Sequence, residues 1–267
     1  MASSEGENGK ENGNKAMGGE SAGGRQRWAK VEGEKDREWL AWMARFRFVT
    51  SELMGLRFGV SDRKARKRLM RLVGDQLVGV HRSFGTTSVY VLTQRGAQHV
   101  DMPRRLRTPR PDLHREHELA IVESVAKLEL GAAAGVEVLT ERDCRQRTAE
   151  GPDRFSVEVA DDRGRSTDRW PDIVLLTPNG KVAIELEFAP KHSERLARIL
   201  RGYLLSDLAE VRFLVVSPRL ARTLHRVTER ERAKLPLRHT DGLTRVVIDA
   251  WTSAEPEDRE AIRAQAA

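Results

Sequence analysis

Two neighbouring apolar runs constrain the fold of this chain more than any other feature. Residues 171–176 and 181–188 are apolar at most positions, and the turn sequence Thr-Pro-Asn-Gly separates them at 177–180. Continuous rather than alternating apolar residues are typical of strands that are buried on both faces. The turn predicts that the two strands pair as a hairpin, which then needs helices on both sides of its sheet.

The rest of the second half has the elements that would cover such a sheet. Segments with helical spacing of apolar residues alternate with short apolar runs, which predicts an α/β fold with a mixed or parallel sheet. The predicted helices are residues 114–130, 193–208 and 220–234, and the further predicted strands are residues 136–140, 155–160, 211–216 and 244–249.

The first half of the chain predicts a winged helix-turn-helix. Thr50 and Ser61 stand where an N-cap hydroxyl accepts a hydrogen bond from the first turn of a helix. A loop at 83–87 is expected to join the two strands of the wing as a hairpin. The predicted helices are residues 34–49, 50–58 and 62–73, and the predicted strands are residues 77–81 and 88–92.

Composition narrows the class of protein. The 267 residues carry 47 Lys and Arg against 40 Asp and Glu, and this net charge of +7 favours an anionic partner, most commonly nucleic acid. No apolar stretch is long enough to span a membrane, and no secretory signal pattern is present. Cys144 is the single cysteine, which excludes a disulfide framework or a thiolate metal cluster. We therefore expect a cytoplasmic protein.

Composition also divides the chain into segments. Residues 1–33 are polar and predict a disordered tail, and residues 251–267 form a second polar tail. Residues 101–112 contain three prolines and four arginines, which predicts an extended linker. The two predicted domains are therefore residues 34–100 and 113–250.

Three carboxylates fall on one face of the predicted hairpin. The turn pairs Leu176 with Lys181, and alternation along the strands then places Asp172, Glu185 and Glu187 together. Like charges that are opposed and buried destabilise a sheet, and a divalent cation such as Mg²⁺ relieves that repulsion. In the alternative, Asp172 begins its strand at solvent while the two glutamates pair with arginines. Candidates for that pairing are Arg169, Arg195 and Arg198.

The third helix of the first half is strongly basic. A recognition helix lies in the major groove, where Arg and Lys read guanine edges or hold phosphates. The alternative is an ordinary solvated helix face. The candidate DNA-binding residues on this helix are Arg63, Lys64, Arg66, Lys67, Arg68 and Arg71, of which Arg63, Lys64 and Lys67 are the candidates for base reading. Arg82 beside the wing and the later residues Arg195 and Arg198 are further candidates for DNA contact.

Two other sequence features are weaker. Cys144 is expected in a polar loop with no base beside it, so a nucleophilic role is disfavoured. His114 and His117 are three residues apart on a predicted helix, and we expect them at the surface or the edge of the core.

These motifs together resemble known families. Pro171-Asp172, followed by Glu185-Leu186-Glu187 at the end of the next strand, resembles the PD-(D/E)XK nuclease superfamily. With the winged helix and the sequence Arg-Trp-Pro-Asp at 169–172, residues 35–250 resemble the replication-relaxation family of actinobacterial plasmids and other mobile elements. The resemblance implies a restriction-endonuclease-like mixed sheet, flanked by helices, over residues 113–250.

The resemblance also implies roles for single residues. Asp172 and Glu185 match the metal-binding acids, which would hold Mg²⁺ or Mn²⁺. Glu187 stands where the superfamily usually has a catalytic lysine, and Lys191 would substitute for that lysine from the start of the next helix. Glu118 or Glu123 resembles an acid that the preceding helix often supplies.

Two functions remain open on these grounds. The first is a double-stranded DNA-binding protein of a plasmid or mobile element that acts in replication, relaxation or transfer and cleaves DNA with a metal ion. The second is a non-catalytic regulator of replication or transcription whose nuclease-like domain is a binding module. The expected partners are duplex DNA, replication or transfer proteins, and a second copy of the chain.

Overall fold

The structure of the protein is a computed structural model, which covers the predicted helices and strands. The described residues are 33–82, 87–102, 114–161, 163–235 and 243–251. The two predicted tails, the predicted linker and the loop of the wing lie almost entirely outside these residues.

Three helices and a hairpin form the first part of the fold. The helices are α1 (Glu34–Ala44), α2 (Ser51–Phe58) and α3 (Asp62–Gly74), and the hairpin consists of β1 (Val78–His81) and β2 (Val89–Leu92). The Thr50 hydroxyl accepts a hydrogen bond from the Leu53 N–H at 3.2 Å, and the Ser61 hydroxyl accepts one from the Lys64 N–H at 3.4 Å. Both predicted N-caps are therefore confirmed.

Tertiary contacts shorten the first helix. We predicted a helix as far as Val49, but α1 ends at Ala44. Val49 instead exchanges two backbone hydrogen bonds with Tyr90 of β2, with N–O distances of 2.9 and 2.8 Å. An extended residue thus joins the hairpin from the segment that precedes α2, and a helical Val49 could not make that pair of bonds.

A short helix that was not predicted follows the hairpin. Helix α4 covers Gln94–His99, and the Thr93 hydroxyl caps it by accepting a hydrogen bond from the Gly96 N–H at 3.0 Å. The helix has only six residues, which is too short for an apolar period to be visible in the sequence.

The second part of the fold contains the large sheet, and the predicted α/β class is confirmed. The helices are α5 (Arg115–Gly131), α6 (Glu141–Glu150), α7 (Ser193–Leu204) and α8 (Pro218–Arg232). The strands are β3 (Glu137–Thr140), β4 (Val157–Ala160), β5 (Ser166–Arg169), β6 (Ile173–Thr177), β7 (Gly180–Glu187), β8 (Glu210–Val215) and β9 (Arg245–Ala250). The sheet order is β3-β6-β7-β8-β9, antiparallel from β3 to β7 and parallel from β7 to β9, and β4 pairs with β5 separately.

Two elements of this part were not predicted, because both are polar. Helix α6 has the sequence ERDCRQRTAE, and its start is fixed by a capping box between Thr140 and Asp143 rather than by an apolar stripe. Cys144 is buried in this helix, so its predicted placement in a polar loop was wrong. Burial raises the pKa of the Cys144 thiol to about 12, which disfavours the thiolate. Strand β5, with the sequence STDR, is mostly exposed and pairs only with β4.

The predicted β6–β7 register is confirmed. Leu176 pairs with Lys181 and Val174 with Ala183, across a two-residue loop. Ala183 belongs to the apolar core that α7 and α8 form on one face of the sheet. Ile184 lies on the opposite face, where it lines a cavity together with Leu128 of α5. The central strand β7 is therefore covered on both faces.

Direct contacts join the two parts of the fold. Arg45, which follows α1, forms ion pairs with Glu129 of α5 and with Asp143 of α6, the latter at 2.8 Å. The Arg45 guanidinium also donates to the Val138 carbonyl of β3 at 2.7 Å. Arg57 of α2 reaches the same Glu129 at 2.5 Å. The helices of the first part are thereby fixed to the helices and the edge strand of the second.

The close contact between α2 and the turn before α3 generates the first prediction. A Cβ atom on Gly55 would lie 2.7 Å from the Val60 carbonyl oxygen, whereas a Cβ on Gly74 would meet nothing within 4 Å. Gly55→Ala should therefore lower the free energy of unfolding by about 1–3 kcal/mol, measured by urea denaturation. Gly74→Ala is the matched control, and it should be neutral or stabilising by up to about 1 kcal/mol. Equal effects of the two substitutions would contradict this description of the turn.

Candidate functional site

The three predicted carboxylates lie at one end of the β6–β7 pair. Asp172 directly precedes β6, and Glu185 and Glu187 are the last carboxylates of β7. The Glu185 side chain is 1% exposed and that of Glu187 is 5% exposed. Lys191, the fourth predicted catalytic residue, is close enough for the charges of Glu185 and Asp172 to act on its ammonium group. The structure thus brings all four residues together.

Protein donors occupy the carboxylate of Glu185. Arg169 of β5 donates to Glu185 Oε2 at 2.6 Å, and the Tyr203 hydroxyl of α7 donates to Oε1. Burial raises the pKa of Glu185, although the neighbouring Arg169 charge opposes that shift. Burial also raises the pKa of Tyr203, and the negative charge of Glu185 adds to the effect. The pairing with Arg169 that the sequence offered as an alternative is present.

Asp172 is tied to the neighbouring strand and to α5. Its Oδ2 atom accepts a hydrogen bond from the Leu186 N–H at 2.9 Å and lies 3.3 Å from His117 Nε2. The same His117 nitrogen lies 3.1 Å from the Leu186 carbonyl oxygen. Burial alone would lower the pKa of His117, but the hydrogen bond to Asp172 and its charge together raise it. The sequence predicted His117 at the surface or the edge of the core and did not link it to Asp172.

Glu187, the last residue of β7, forms an ion pair with Lys191, which lies between β7 and α7 rather than at the predicted start of the helix. Burial lowers the pKa of Lys191 to about 8, even though the charges of Glu185 and Asp172 oppose that shift. Of the two acids predicted on α5, Glu118 lies near Asp172: burial raises the pKa of Glu118, and the charge of Asp172 acts in the same direction. Glu118 contacts Arg47 at 3.2 Å, and Glu123 contacts Lys127 at 2.5 Å.

The arrangement of donors does not fit a magnesium ion. Mg²⁺ needs free carboxylate oxygens and bound waters in near-octahedral geometry, but both oxygens of Glu185 accept hydrogen bonds from the protein. Across the described ranges, no three His, Cys, Asp or Glu side chains are grouped so that they could hold a metal ion. The buried positive charge beside Glu185 is the Arg169 guanidinium.

The six basic residues of α3 divide into three sets. Arg63, Lys64 and Lys67 are exposed, and none of them has an acidic partner among the described residues. Arg66 pairs with Asp62 at 3.0 Å, within the same helix. The remaining two contact the carboxylate of Asp36 in α1, which is fully buried. Arg68 lies at 2.6 Å from it and Arg71 at 2.5 Å.

The other predicted DNA contacts lie on separate elements. Arg82 is exposed at the end of β1. Arg195 is exposed in the first turn of α7, and Arg198 is half-buried and acts electrostatically on Asp161. The described residues therefore include a basic outer face on α3 and separate arginines on α7.

The functional residues that the sequence analysis missed are Tyr203 and His117. Tyr203 lies on the apolar face of α7 with Leu196, Ile199 and Leu200, and a buried tyrosine hydroxyl generally needs a hydrogen-bond partner. From that rule, the sequence could have predicted a buried hydrogen-bond acceptor next to α7, which is Glu185. His117 is distant in sequence from Leu186, and the sequence contains no local signal for their contact.

Fold and site together define a class of protein. It is a mixed α/β protein in which α2 and α3, joined by a short turn, adjoin a five-stranded sheet. Helix α3 has exposed basic residues, and one end of the sheet holds a buried cluster of carboxylates and cations. The chain belongs to the replication-relaxation family, which it matches over residues 40–212. No curated protein and no solved structure matches the chain.

Family membership indicates a role in the replication or relaxation of plasmids or other mobile elements. It agrees with the family that the sequence motifs suggested. In the part of the chain that the structure describes, no helix is long and apolar enough to cross a bilayer.

The Glu185–Arg169 pair generates the second prediction. Removing one partner of a buried ion pair leaves an uncompensated charge, so Arg169→Gln should lower the free energy of unfolding by about 3–5 kcal/mol. Adding Glu185→Gln removes that charge and should recover part of the loss, so the double variant should be more stable than Arg169→Gln alone. Urea denaturation of the wild type, both single variants and the double variant measures the coupling. Additive effects would show that the two groups do not interact.

Proposed function

We propose that this chain binds double-stranded DNA through the outer face of α3 and acts on mobile-element DNA in replication or relaxation without cutting it. The observation that carries the proposal is the set of three exposed cations on α3, Arg63, Lys64 and Lys67, that have no acidic partner among the described residues. Unpaired cations on one helix face attract the phosphate backbone and are free to contact base edges.

The position of these cations along α3 supports base reading. In a helix-turn-helix, the N-terminal part of the second helix contacts the bases. Arg63 and Lys64 lie in the first turn of α3, and Lys67 lies one turn later. Gly59 ends α2 in the left-handed region with φ of 62°, and Val60 and Ser61 complete the turn to α3. A short turn that contains glycine is typical of the motif.

The hairpin supports a winged form of the motif. β1 and β2 follow α3 directly, and the Val49–Tyr90 bridge links them to the residues before α2. Arg82 at the end of β1 is exposed, and we propose that it contacts the adjacent phosphates. Arg68 and Arg71 are not part of the proposed DNA contact, because they already neutralise the buried Asp36.

The carboxylate cluster has a structural role in this proposal. Its charged groups are paired within the protein, and the pairs connect β5, β6, β7, α5 and α7. We propose that partners beyond duplex DNA are other replication or transfer proteins assembled on the same DNA. Association with a second copy of the chain and location with plasmid DNA in the cytoplasm stay predictions from the sequence.

The third prediction tests the α3 contact. Replacing Arg63, Lys64 and Lys67 together by Gln should reduce affinity for duplex DNA at least about tenfold, since each good contact to a base contributes about 1–3 kcal/mol. Fluorescence anisotropy with a labelled duplex measures the loss. The matched control replaces Arg37, Arg145 and Arg147 by Gln, which lowers the net charge equally at solvent-accessible arginines that pair with acids. Equal losses in the two triple variants would contradict a specific role for α3.

Metal-dependent DNA cleavage is the second candidate function. The observation that favours it is that Asp172, Glu185, Glu187 and Lys191 lie together at one end of the β6–β7 pair. Against it, Arg169 and Tyr203 occupy both oxygens of Glu185.

A nicking assay separates the two candidates and is the fourth prediction. Supercoiled plasmid incubated with the wild-type protein and Mg²⁺ or Mn²⁺ should stay intact, and EDTA should change nothing. Asp172→Ala is the variant to compare. Nicking by the wild type that EDTA and Asp172→Ala both abolish would overturn the non-cutting proposal and establish the cleavage function.

A further inference from the structure

The outer face of α8 carries a row of arginines that the sequence analysis did not single out. Arg219, Arg222 and Arg226 are exposed, and no described acidic group pairs with them. Their spacing of three and four residues places them on one face of the helix. The opposite face is buried, since Leu220, Ala221, Leu224 and Val227 pack into the core against α7 and the sheet. The row therefore points away from the protein.

The row is continuous with basic residues of α7. Arg201 of α7 and Arg230 of α8 both contact Glu231, at 3.1 and 3.3 Å, and Lys234 contacts the same carboxylate at 2.6 Å. One buried carboxylate thus faces three cations, which leaves this region positive. We use the name α8 basic surface for Arg219, Arg222, Arg226 and Arg230.

The dimensions of the α8 basic surface suit a nucleic acid backbone. At about 1.5 Å of rise per residue, Arg219 and Arg230 are separated by roughly 16 Å along the helix. B-DNA carries one negative charge per roughly 1.7 Å of its axis, so several phosphates lie within that length. The planar guanidinium group of arginine matches a phosphate with two parallel hydrogen bonds.

We propose that the α8 basic surface is a second contact with duplex DNA, which holds the sugar–phosphate backbone and does not read bases. Helix α8 packs against α7, β8 and β9, so the exposed face that carries the arginines is the one available to DNA. Backbone contacts fix the position of a protein on DNA without selecting a sequence. The choice of duplex DNA as the polyanion rests on the function proposed above. The family match ends at residue 212, and α8 begins at Pro218. The proposed contact therefore lies outside the part of the chain that matches the family.

The competing explanation is that the row is an ordinary solvated face of an arginine-rich protein, as most charge runs are. The two explanations differ in the salt dependence of binding. Log affinity falls linearly with log salt concentration. Removing one cation that binds a phosphate makes this negative slope less steep by about 0.9, whereas a solvated face contributes only through net charge.

The experiment, which is the fifth prediction, compares four full-length proteins on duplexes of two unrelated sequences. They are the wild type, the α8 variant (Arg219, Arg222 and Arg226 to Gln), the α3 variant and the control variant defined above. Affinity is measured between about 50 and 200 mM salt. For the α8 variant, the slope of log affinity against log salt should be less steep than that of the wild type by about 2.7, equally for both sequences. The control variant should keep the wild-type slope. Glutamine has nearly the same helix propensity as arginine, and a thermal unfolding curve for each protein confirms that it is folded.

The outcomes separate this inference from the proposed function. If the α8 variant keeps the wild-type slope while the α3 variant loses affinity, the α8 contact is overturned and the proposed function stands. If the salt dependence of affinity becomes less steep in the α8 variant while the α3 variant binds normally, the α8 contact stands and the role of α3 is overturned. A loss in the α8 variant that is confined to one of the two sequences would overturn the assignment to backbone contact.

Discussion

The structure depends on the neutralisation of the buried Glu185 carboxylate in its central strand by protein hydrogen-bond donors. Glu185 lies in β7, which is covered by helices on both faces, so its charge has no access to water. Arg169 from β5 and Tyr203 from α7 satisfy it, and two residues away Glu187 binds Lys191. The same strand end holds Asp172 through the Leu186 N–H, and Asp172 in turn contacts His117 of α5. The polar contacts that position the elements around β7 therefore converge on a few residues.

The first part of the fold also contains a buried carboxylate that arginines neutralise. Asp36 is fully buried and is neutralised by Arg68 and Arg71, which fixes one side of α3 against α1. The opposite side of α3 then presents Arg63, Lys64 and Lys67 outward without acidic partners in the described structure. Basic residues that are close in sequence thus differ in burial and in their partners.

Local signals made much of the fold predictable from the sequence. Two apolar runs and a turn defined β6, β7 and their register, and the hydroxyls of Thr50 and Ser61 marked the starts of α2 and α3. Features set by distant contacts were not predictable. The bridge to Tyr90 ends α1 early, and polar α6 has no apolar period. At the site, the sequence brought the three carboxylates together and offered Arg169 as a partner, but Tyr203 and His117 come from helices whose packing it does not encode locally.

The central claim is that duplex DNA contacts the outer face of α3, and lysine protection tests it most directly. The protein is acetylated with and without duplex DNA, and modification at each lysine is read by mass spectrometry. Lys64 and Lys67 should become protected by the duplex, while Lys127 on α5, exposed but paired with Glu123, should react equally in both samples. Unchanged modification of Lys64 and Lys67 under conditions where the duplex is bound would contradict the account.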